Sequence, residues 1–275
     1  MDNLTYKPDI TPGTFKWIVS KGQSGLKYLS FGRMVFGQAG KEMSLDTGGD
    51  EMCVDILGGK VSVCGKSPAG EFKYENIGGR ENAFAGAPNM VYIPRGSSFT
   101  VKAETDNADI VICSSPARRD TKPVLIPAED CMVKSVGGAN WQRSVNTSIG
   151  DNVDADRLLV GETLNPPGNW SSAPPHKHDV NKAPEAEMEE VYFFLLDPPQ
   201  GFGIQRIYSG DDSPAQMDEA YPLENGTTVA IPFGYHPVVA GPGYRLLYFW
   251  ALAGENRTYG GWKDDPKHAW LKGTI

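Results

Sequence analysis

Residues 51–61 read E-M-C-V-D-I-L-G-G-K-V, and residues 190–196 read E-V-Y-F-F-L-L. Each is a glutamate opening a short apolar run beside turn-forming residues, the pattern of a buried strand. Downstream, Pro94 opens P-R-G-S-S-F and Pro232 opens P-F-G-Y-H, 43 residues after Glu51 and 42 after Glu190. Upstream, L-S-F-G-R (29–33) resembles L-L-V-G-E (158–162) at an offset of 129, whereas the later pairs lie 138 or 139 apart. The second copy therefore carries about ten extra residues, and D-V-N-K-A-P-E-A-E-M-E (179–189) is the insertion. Three matches in order, at consistent spacing, indicate an internal duplication. Its boundary falls near 128–141, where V-G-G-A-N reads as a turn, and divides the chain into 1–128 and 129–275.

The rest of the chain fits this reading. Short runs predict strands at 27–36, 53–63, 89–93, 109–114, 157–163, 191–196, 203–208, 228–231 and 245–252, each bounded by Gly, Pro, Asn or Asp. No stretch holds a clean 3.6-residue period; 211–220 has room for one short helix. With 32 glycines and 21 prolines in 275 residues, a helical bundle is excluded and an all-β fold of sandwiches or barrels is expected. The net charge of −8 argues against a nucleic-acid partner, which needs a basic face to neutralise phosphates. The first ten residues lack an apolar signal core, and the most apolar stretch, 246–253, is too short for a membrane span. These features predict a soluble, cytoplasmic protein. Its four cysteines (53, 64, 113, 131) form no C-x-x-C pair, so buried or half-buried free thiols are expected. Exposed sheet edges make a homo-oligomer plausible as an assembly.

All four histidines lie in the second copy. His176 and His178 form H-x-H in P-P-H-K-H-D; two residues apart on a strand, they share a face and can reach one ion. Glu190 opens the next apolar strand, and His236 is delivered by the turn containing Pro232 and Gly234. At the equivalent places the first copy has Thr47, Gly49 and one of Ser97, Ser98 or Phe99. A frame that keeps its turns in both copies but its imidazoles in only one points to metal ligation by His176, His178, Glu190 and His236. Such donors suit one divalent ion, and Zn, Mn, Fe, Co and Ni are not distinguished by them. Glu185, Glu187 and Glu189 compete with Glu190 on sequence alone. His268, in K-H-A-W, reads as a surface residue.

H-x-H, then a glutamate before an apolar strand, then G-x5-P-x-G-x-H, resembles the cupin pattern in its double-domain form. Eleven residues separate His178 from Glu190, where cupins usually have three or four. The runs G-E-T-L-N-P-P-G-N-W-S-S-A-P-P-H-K-H-D (161–179), E-E-V-Y-F-F (189–194), G-F-G-I-Q-R-I-Y (201–208) and F-G-Y-H-P-V-V-A-G-P-G-Y-R-L-L-Y-F-W-A-L-A-G-E-N (233–256) look more specifically like the 5-deoxy-glucuronate isomerase family of inositol catabolism. The 4-deoxy-threo-hexulosuronate isomerases are similar in H-x-H, E-V-Y and F-x-W but lack P-P-H-K-H-D. The resemblance implies a bicupin, two jelly-roll-like barrels with the metal and the active site in the second. It also implies conversion of 5-deoxy-D-glucuronate to 2-deoxy-5-keto-D-gluconate.

Three imidazoles and one carboxylate leave two adjacent octahedral positions open, enough for the carbonyl and hydroxyl oxygens of an α-hydroxy aldehyde. Aldose–ketose isomerisation also needs a proton shuttle. The candidates are Glu162, on a strand expected to line the mouth; Tyr192, sharing strand parity with Glu190; and Tyr235. Lys177 lies between two inward histidines, so it should point outward and ranks last, as shuttle or as substrate ligand. A small-molecule uronate also needs its carboxylate held, and Arg206 and Arg245 are first in line, with Arg143 and Arg157 behind. Two other readings remain on sequence: a cupin oxidase or dioxygenase with a redox-active metal, and a non-enzymatic sugar-binding bicupin.

Overall fold

A computed structural model describes residues 3–274. Among these residues the only helices are three short 3-10 turns, and everything else regular is strand. Four antiparallel sheets stack face to face. One large sheet runs, in spatial order, Val124–Ile126, Asn89–Ile93, Asp50–Gly58, Asp109–Pro116, Ser30–Val35, Thr14–Val19. The other runs Thr5–Tyr6, Thr228–Ile231, Met188–Asp197, Arg245–Gly254, Leu159–Asn165, Arg143–Ile149, Met132–Val136. Each is backed by a four-stranded sheet. The first is Glu42–Asp46, Ser98–Ala103, Lys60–Ser67, Gly70–Gly78; the second is Trp170–Ser171, Val238–Ala240, Phe202–Tyr208, Asp218–Glu224.

Apart from the extra edge strand Met132–Val136 in the second large sheet, the two pairs of sheets have the same order, so the repeat read in the sequence is a repeat of topology, and the fold is the expected bicupin. The same glycine serves both copies 129 residues apart. A Cβ on Gly32 would lie 2.8 Å from the Lys16 carbonyl oxygen, and one on Gly161 would lie 2.2 Å from that of Asn146. Only glycine lets the neighbouring strand approach this closely.

Three apolar layers fill the spaces between sheets. Met34, Val54, Ile110 and Phe99 belong to the layer inside the first copy, and Phe194, Ile207, Val238 and Leu246 to the layer inside the second. Phe31, Tyr92, Phe193 and Phe249 belong to the third, between the two large sheets. Alternation along each strand produces this arrangement. On Met188–Asp197, Val191 and Phe193 face the other copy, while Tyr192 and Phe194 face their own barrel. Cys53, Cys113 and Cys131 are buried free thiols, and Cys64 is half-buried.

The copies are interlocked rather than merely adjacent. Thr5–Tyr6, the leading strand of the first copy, pairs with Thr228–Ile231 in the second copy's sheet. Val124–Ile126, which leads into the second copy, pairs with Asn89–Ile93 in the first. A cut at 128 thus assigns most strands to one copy but leaves the first leader in the other copy's sheet.

Buried carboxylates reinforce the interlock. Glu51 accepts hydrogen bonds from the backbone N–H groups of Asp156, Arg157 and Leu158 at 2.7, 2.6 and 2.8 Å. Reciprocally, Glu189 accepts from Lys27, Tyr28 and Leu29 at 2.6, 2.7 and 2.6 Å. Between these clamps, Arg80 donates to both carboxylate oxygens of Glu162 at 2.8 and 2.5 Å and lies 3.4 Å from Asp55. Burial first, then the charge of Glu162, pushes the Asp55 carboxyl well up, toward its neutral form.

Several sequence expectations need correction. The run 53–63 is two strands in different sheets, because Gly58 and Gly59 turn the chain; Gly59 has φ +79°. The segment 211–220 holds no helix; it is a turn followed by the strand Asp218–Glu224. Strands with exposed alternate residues, such as Thr14–Val19, Gly70–Gly78 and Met132–Val136, carry too weak an apolar signal to be read from sequence. No helix among the described residues is long and apolar enough to cross a membrane.

Arg80→Met is expected to destabilise the chain by about 3–5 kcal/mol, because it leaves Glu162 buried and uncompensated. Adding Glu162→Met should recover part of that loss, since no lone charge then remains. Urea unfolding of the single and double variants measures both quantities.

Candidate metal centre

Two neighbouring residues on Met188–Asp197 have opposite duties because side chains alternate across a strand. Glu189 faces the first copy, and Glu190 faces the interior of the second barrel, as Tyr192 does. Glu190 meets His178 and His236 there. One Glu190 carboxylate oxygen lies 3.2 Å from His178 Nε2 and 3.3 Å from His236 Nε2, and all three side chains are buried. The ligand-capable atoms of the three residues lie within 4.8 Å of one another. The competing glutamates are engaged elsewhere: Glu187 with Lys27, Glu185 with Lys177, and Glu189 in its clamp.

Both imidazoles are oriented from behind. His178 Nδ1 lies 2.7 Å from the Met188 carbonyl oxygen, and His236 Nδ1 lies 2.8 Å from that of Gly234. A carbonyl can only accept, so in each neutral ring the proton sits on Nδ1 and the Nε2 lone pair points at the centre. Gly234 makes this possible with φ +93°. Its N–H donates to Asp179 at 2.8 Å, which ties the turn to the residue following His178.

The electrostatics agree. Burial holds His236 down, to about 4, despite the opposing pull of Glu190. Burial also works against a charged His178, but the hydrogen bond and charge of Glu190 outweigh it and hold that ring above its ordinary range. His236 Nε2 is buried with no hydrogen-bond partner. Without a cation, a proton on His178 Nε2 answers Glu190 and the His236 lone pair is left unmet; one cation at this point would satisfy both imidazoles and the carboxylate. The donor set therefore fits a metal ion.

His176 stands beside this triad. Its ring centroid lies 4.9 Å from that of His236 and 6.4 Å from that of His178, and its ring also packs at 5.5 Å against Trp262. Burial, then the neighbouring imidazoles, holds it well below its ordinary range, so it too is neutral and able to donate a lone pair.

A pocket opens onto these side chains. Its walls include Tyr192, Tyr248, Trp250, Leu252, Tyr259 and Trp262. Tyr192 and Tyr248 stack at 4.4 Å, and their hydroxyls meet Ser172 and Ser171 at 3.3 and 2.6 Å. Half of these six come from one strand: Tyr248, Trp250 and Leu252 alternate along Arg245–Gly254, and Trp250 pairs with Tyr192, Leu252 with Glu190. That alternation is visible in L-Y-F-W-A-L, but the register that brings it to Glu190 is not.

Of the residues proposed from sequence for proton transfer and substrate binding, only Tyr192 and Arg143 line this pocket. Glu162 lies on the opposite face of its strand and is consumed by Arg80; Thr163, its neighbour, takes the pocket position. Tyr235 stacks on Tyr208 at 5.1 Å, away from the pocket. Lys177 does turn away from the metal ligands, but into the protein: it is fully buried and paired with Asp179, with Glu185 at 2.8 Å and with Asp212 at 3.1 Å. That cage fastens the inserted segment to the H-x-H strand. Arg206 points out of the back sheet and pairs with Asp218 through both nitrogens at 2.7 Å. Arg245 is exposed and paired with Asp197, and Arg157 is spent on the Gly254 carbonyl and Glu255 between the copies. His268 is exposed, as read.

A profile described as the KduI/IolB family matches residues 5–271. The chain is 37% identical to a 5-deoxy-glucuronate isomerase of Halalkalibacterium halodurans, over 98% of this chain and 99% of that one. It is also 37% identical to one from Geobacillus kaustophilus, over 90% and 87%. Among solved structures, an IolB-like protein from Salmonella typhimurium superposes with a TM-score of 0.90 at 31% identity, covering 98% and 99% of the two chains. An oxalate decarboxylase from Lactobacillus farciminis superposes with a TM-score of 0.71 at 11% identity, covering 100% and 91%, a likeness of fold alone.

His178→Ala, His236→Ala and Glu190→Gln are each expected to weaken binding of added Zn²⁺ or Mn²⁺ by at least the roughly 10–100-fold that loss of a supporting hydrogen bond costs at such sites. Their thermal midpoints without metal should not fall below that of the parent chain, because each change removes a polar or charged group from a buried cluster that lacks its cation. Equilibrium metal titration and thermal denaturation check the two halves of this statement.

Proposed function

Because this chain belongs to the KduI/IolB family, we propose that it is a metal-dependent 5-deoxy-glucuronate isomerase, an intramolecular oxidoreductase that converts 5-deoxy-D-glucuronate to 2-deoxy-5-keto-D-gluconate. One observation carries the reading: the second barrel of a chain 37% identical to such an isomerase over 98% of its length brings His178, Glu190 and His236 together, with His178 and Glu190 lining a pocket.

His178, Glu190 and His236, with His176 as the fourth donor, would hold one divalent ion. Bound there, it would act as a Lewis acid toward the aldehyde and its neighbouring hydroxyl and stabilise the negative charge of an enediolate. The chain's own groups do the rest. Glu190 and the imidazoles leave the pocket side open, where the reacting end of an aldose fits. Trp250, Leu252, Tyr248 and Trp262 wall that end with apolar surface and exclude water, so developing charge is not screened. Tyr192 holds a proton at its hydroxyl oxygen: burial first, then the charge of Glu190, raises its pKa well above the ordinary range, so the hydroxyl stays protonated and offers a hydrogen bond. Ser172, 3.3 Å from that oxygen, orients it. Tyr192 is therefore a donor to a substrate oxygen and not the base that removes the C2 proton.

Conversion of the deoxy-uronate followed by proton NMR in D₂O tests the function. Turnover with solvent deuterium entering at C1, without oxygen consumption, is expected, together with loss of turnover on chelation and its return with added metal. Tyr192→Phe should lower kcat by about 10²–10⁴-fold with little change in KM if its hydroxyl acts as a general acid.

A further inference from the structure

A uronate presents two ends: the aldehyde, and a carboxylate at the far end of the carbon chain. We infer that Arg143 is the group that holds the carboxylate and makes the pocket selective for sugar acids; the assignment rests on the isomerase reading above.

The case begins with how the ten arginines are used. Among the described residues, eight have a carboxylate within ion-pair distance: Arg33, Arg80, Arg95, Arg118, Arg119, Arg157, Arg206 and Arg245. Arg257 does not, but its guanidinium is occupied by the Leu158 and Gly150 carbonyl oxygens. Arg143 is the exception. It lines the pocket beside His176, Tyr192 and Tyr248, and no described carboxylate pairs with it. Nη1 donates to the carbonyl oxygens of Trp141 and Ala173 at 3.2 and 3.3 Å, and the guanidinium lies 5.8 Å from the Trp141 ring centroid. Nε is buried with no partner at all.

A guanidinium placed this way is costly. Burial alone lowers its pKa, with no anion in place to restore it. The two carbonyls and the indole fix the plane of the fork but leave one edge unused. A carboxylate entering the pocket would satisfy that edge with paired hydrogen bonds, which a hydroxymethyl group at the same position cannot do. Lys134, from the exposed strand at the rim, adds a second positive charge on the approach. Arg206 and Arg245 already have their own aspartates and face away.

The test compares the parent chain with Arg143→Met and Arg143→Lys on 5-deoxy-D-glucuronate and on 5-deoxy-D-glucose, its neutral counterpart, with bound metal assayed in each. A second readout, independent of turnover, is the thermal shift given by D-glucuronate against D-glucose. Arg143→Met should raise KM for the uronate about 100-fold while changing kcat/KM for the neutral sugar less than about threefold, with metal content unchanged. Arg143→Lys, which keeps the charge but not the fork, should fall between. The D-glucuronate shift should be present in the parent chain and lost in Arg143→Met. Equal losses on both sugars, an unchanged KM for the uronate, or no D-glucuronate shift in the parent chain overturns the assignment. A parent chain that isomerises neither sugar sinks the isomerase reading instead, and the thermal shift then decides the anion site by itself.

Discussion

Glu189 closes over three backbone N–H groups of the first copy, and Glu51 closes over three of the second. Each carboxylate neutralises a row of donors that would otherwise be buried at the start of a strand without partners, a cost of about 1–3 kcal/mol for every unmet group. The same contacts fix how far the two large sheets slide past each other. Once that register is set, strand alternation decides the rest: if Glu189 faces the other copy, Glu190 must face its own barrel, with Tyr192 beside it. The metal centre is thus placed by a contact on the opposite face of the same strand. The spacing of 138 between Glu51 and Glu189 is the offset of the repeat, so the clamp is a property of the duplicated unit.

That offset also shows what the first copy has become. It sets Met52 opposite Glu190 and Ser98 opposite His236, with Gly96 (φ +72°) opposite Gly234 (φ +93°). The turn that would deliver a histidine is intact, and the ligands are not. Met52 and Val54 pack into an apolar layer where Glu190 and Tyr192 line a pocket. Thr47, opposite His176, is absorbed into backbone bonding with Pro94 and Ser97.

The fold was legible because duplication doubles every signal: Glu, apolar run, Gly-Pro turn, each found twice in order. The clustering of His178 and His236 with Glu190 was legible because H-x-H and P-x-G-x-H are local, and locality is what a sequence displays. The remainder of the site depended on facts that are not local. Glu162 was read as facing the mouth, but it sits one residue out of phase with Thr163, and a one-residue error inverts a strand's faces. Arg206 and Arg245 looked suitable because each stands in a motif near the ligands; whether an arginine is available depends on which aspartate lies across the ladder, and Asp218 and Asp197 claim these two. Arg143 shows the converse. Its availability is an absence of partners, visible only when its surroundings are complete. Lys177 was expected to point outward but is fully buried; its three carboxylate partners arrive from the insertion and from a distant loop, so its burial could not be read from its neighbours.

These observations suggest why two barrels are used for one centre. A site of this kind accumulates local costs: an orphaned Nε2 at His236, a guanidinium buried without an anion, a tyrosine kept protonated beside a carboxylate. Each is the sort of defect that destabilises a small domain by an amount comparable with its whole margin. Here the defects are confined to the space between one large sheet and its own back sheet. The layer between the two large sheets is apolar apart from the Arg80–Glu162–Asp55 cluster and is closed by the paired clamps, and the layer inside the first copy is built of apolar side chains. Placement of the first copy's leading strand, Thr5–Tyr6, in the second copy's sheet prevents the copies from parting without breaking that ladder. The copy without ligands is therefore what allows its neighbour to keep a strained and unsatisfied interior, and the stability it contributes has the same physical origin as the selectivity it makes possible.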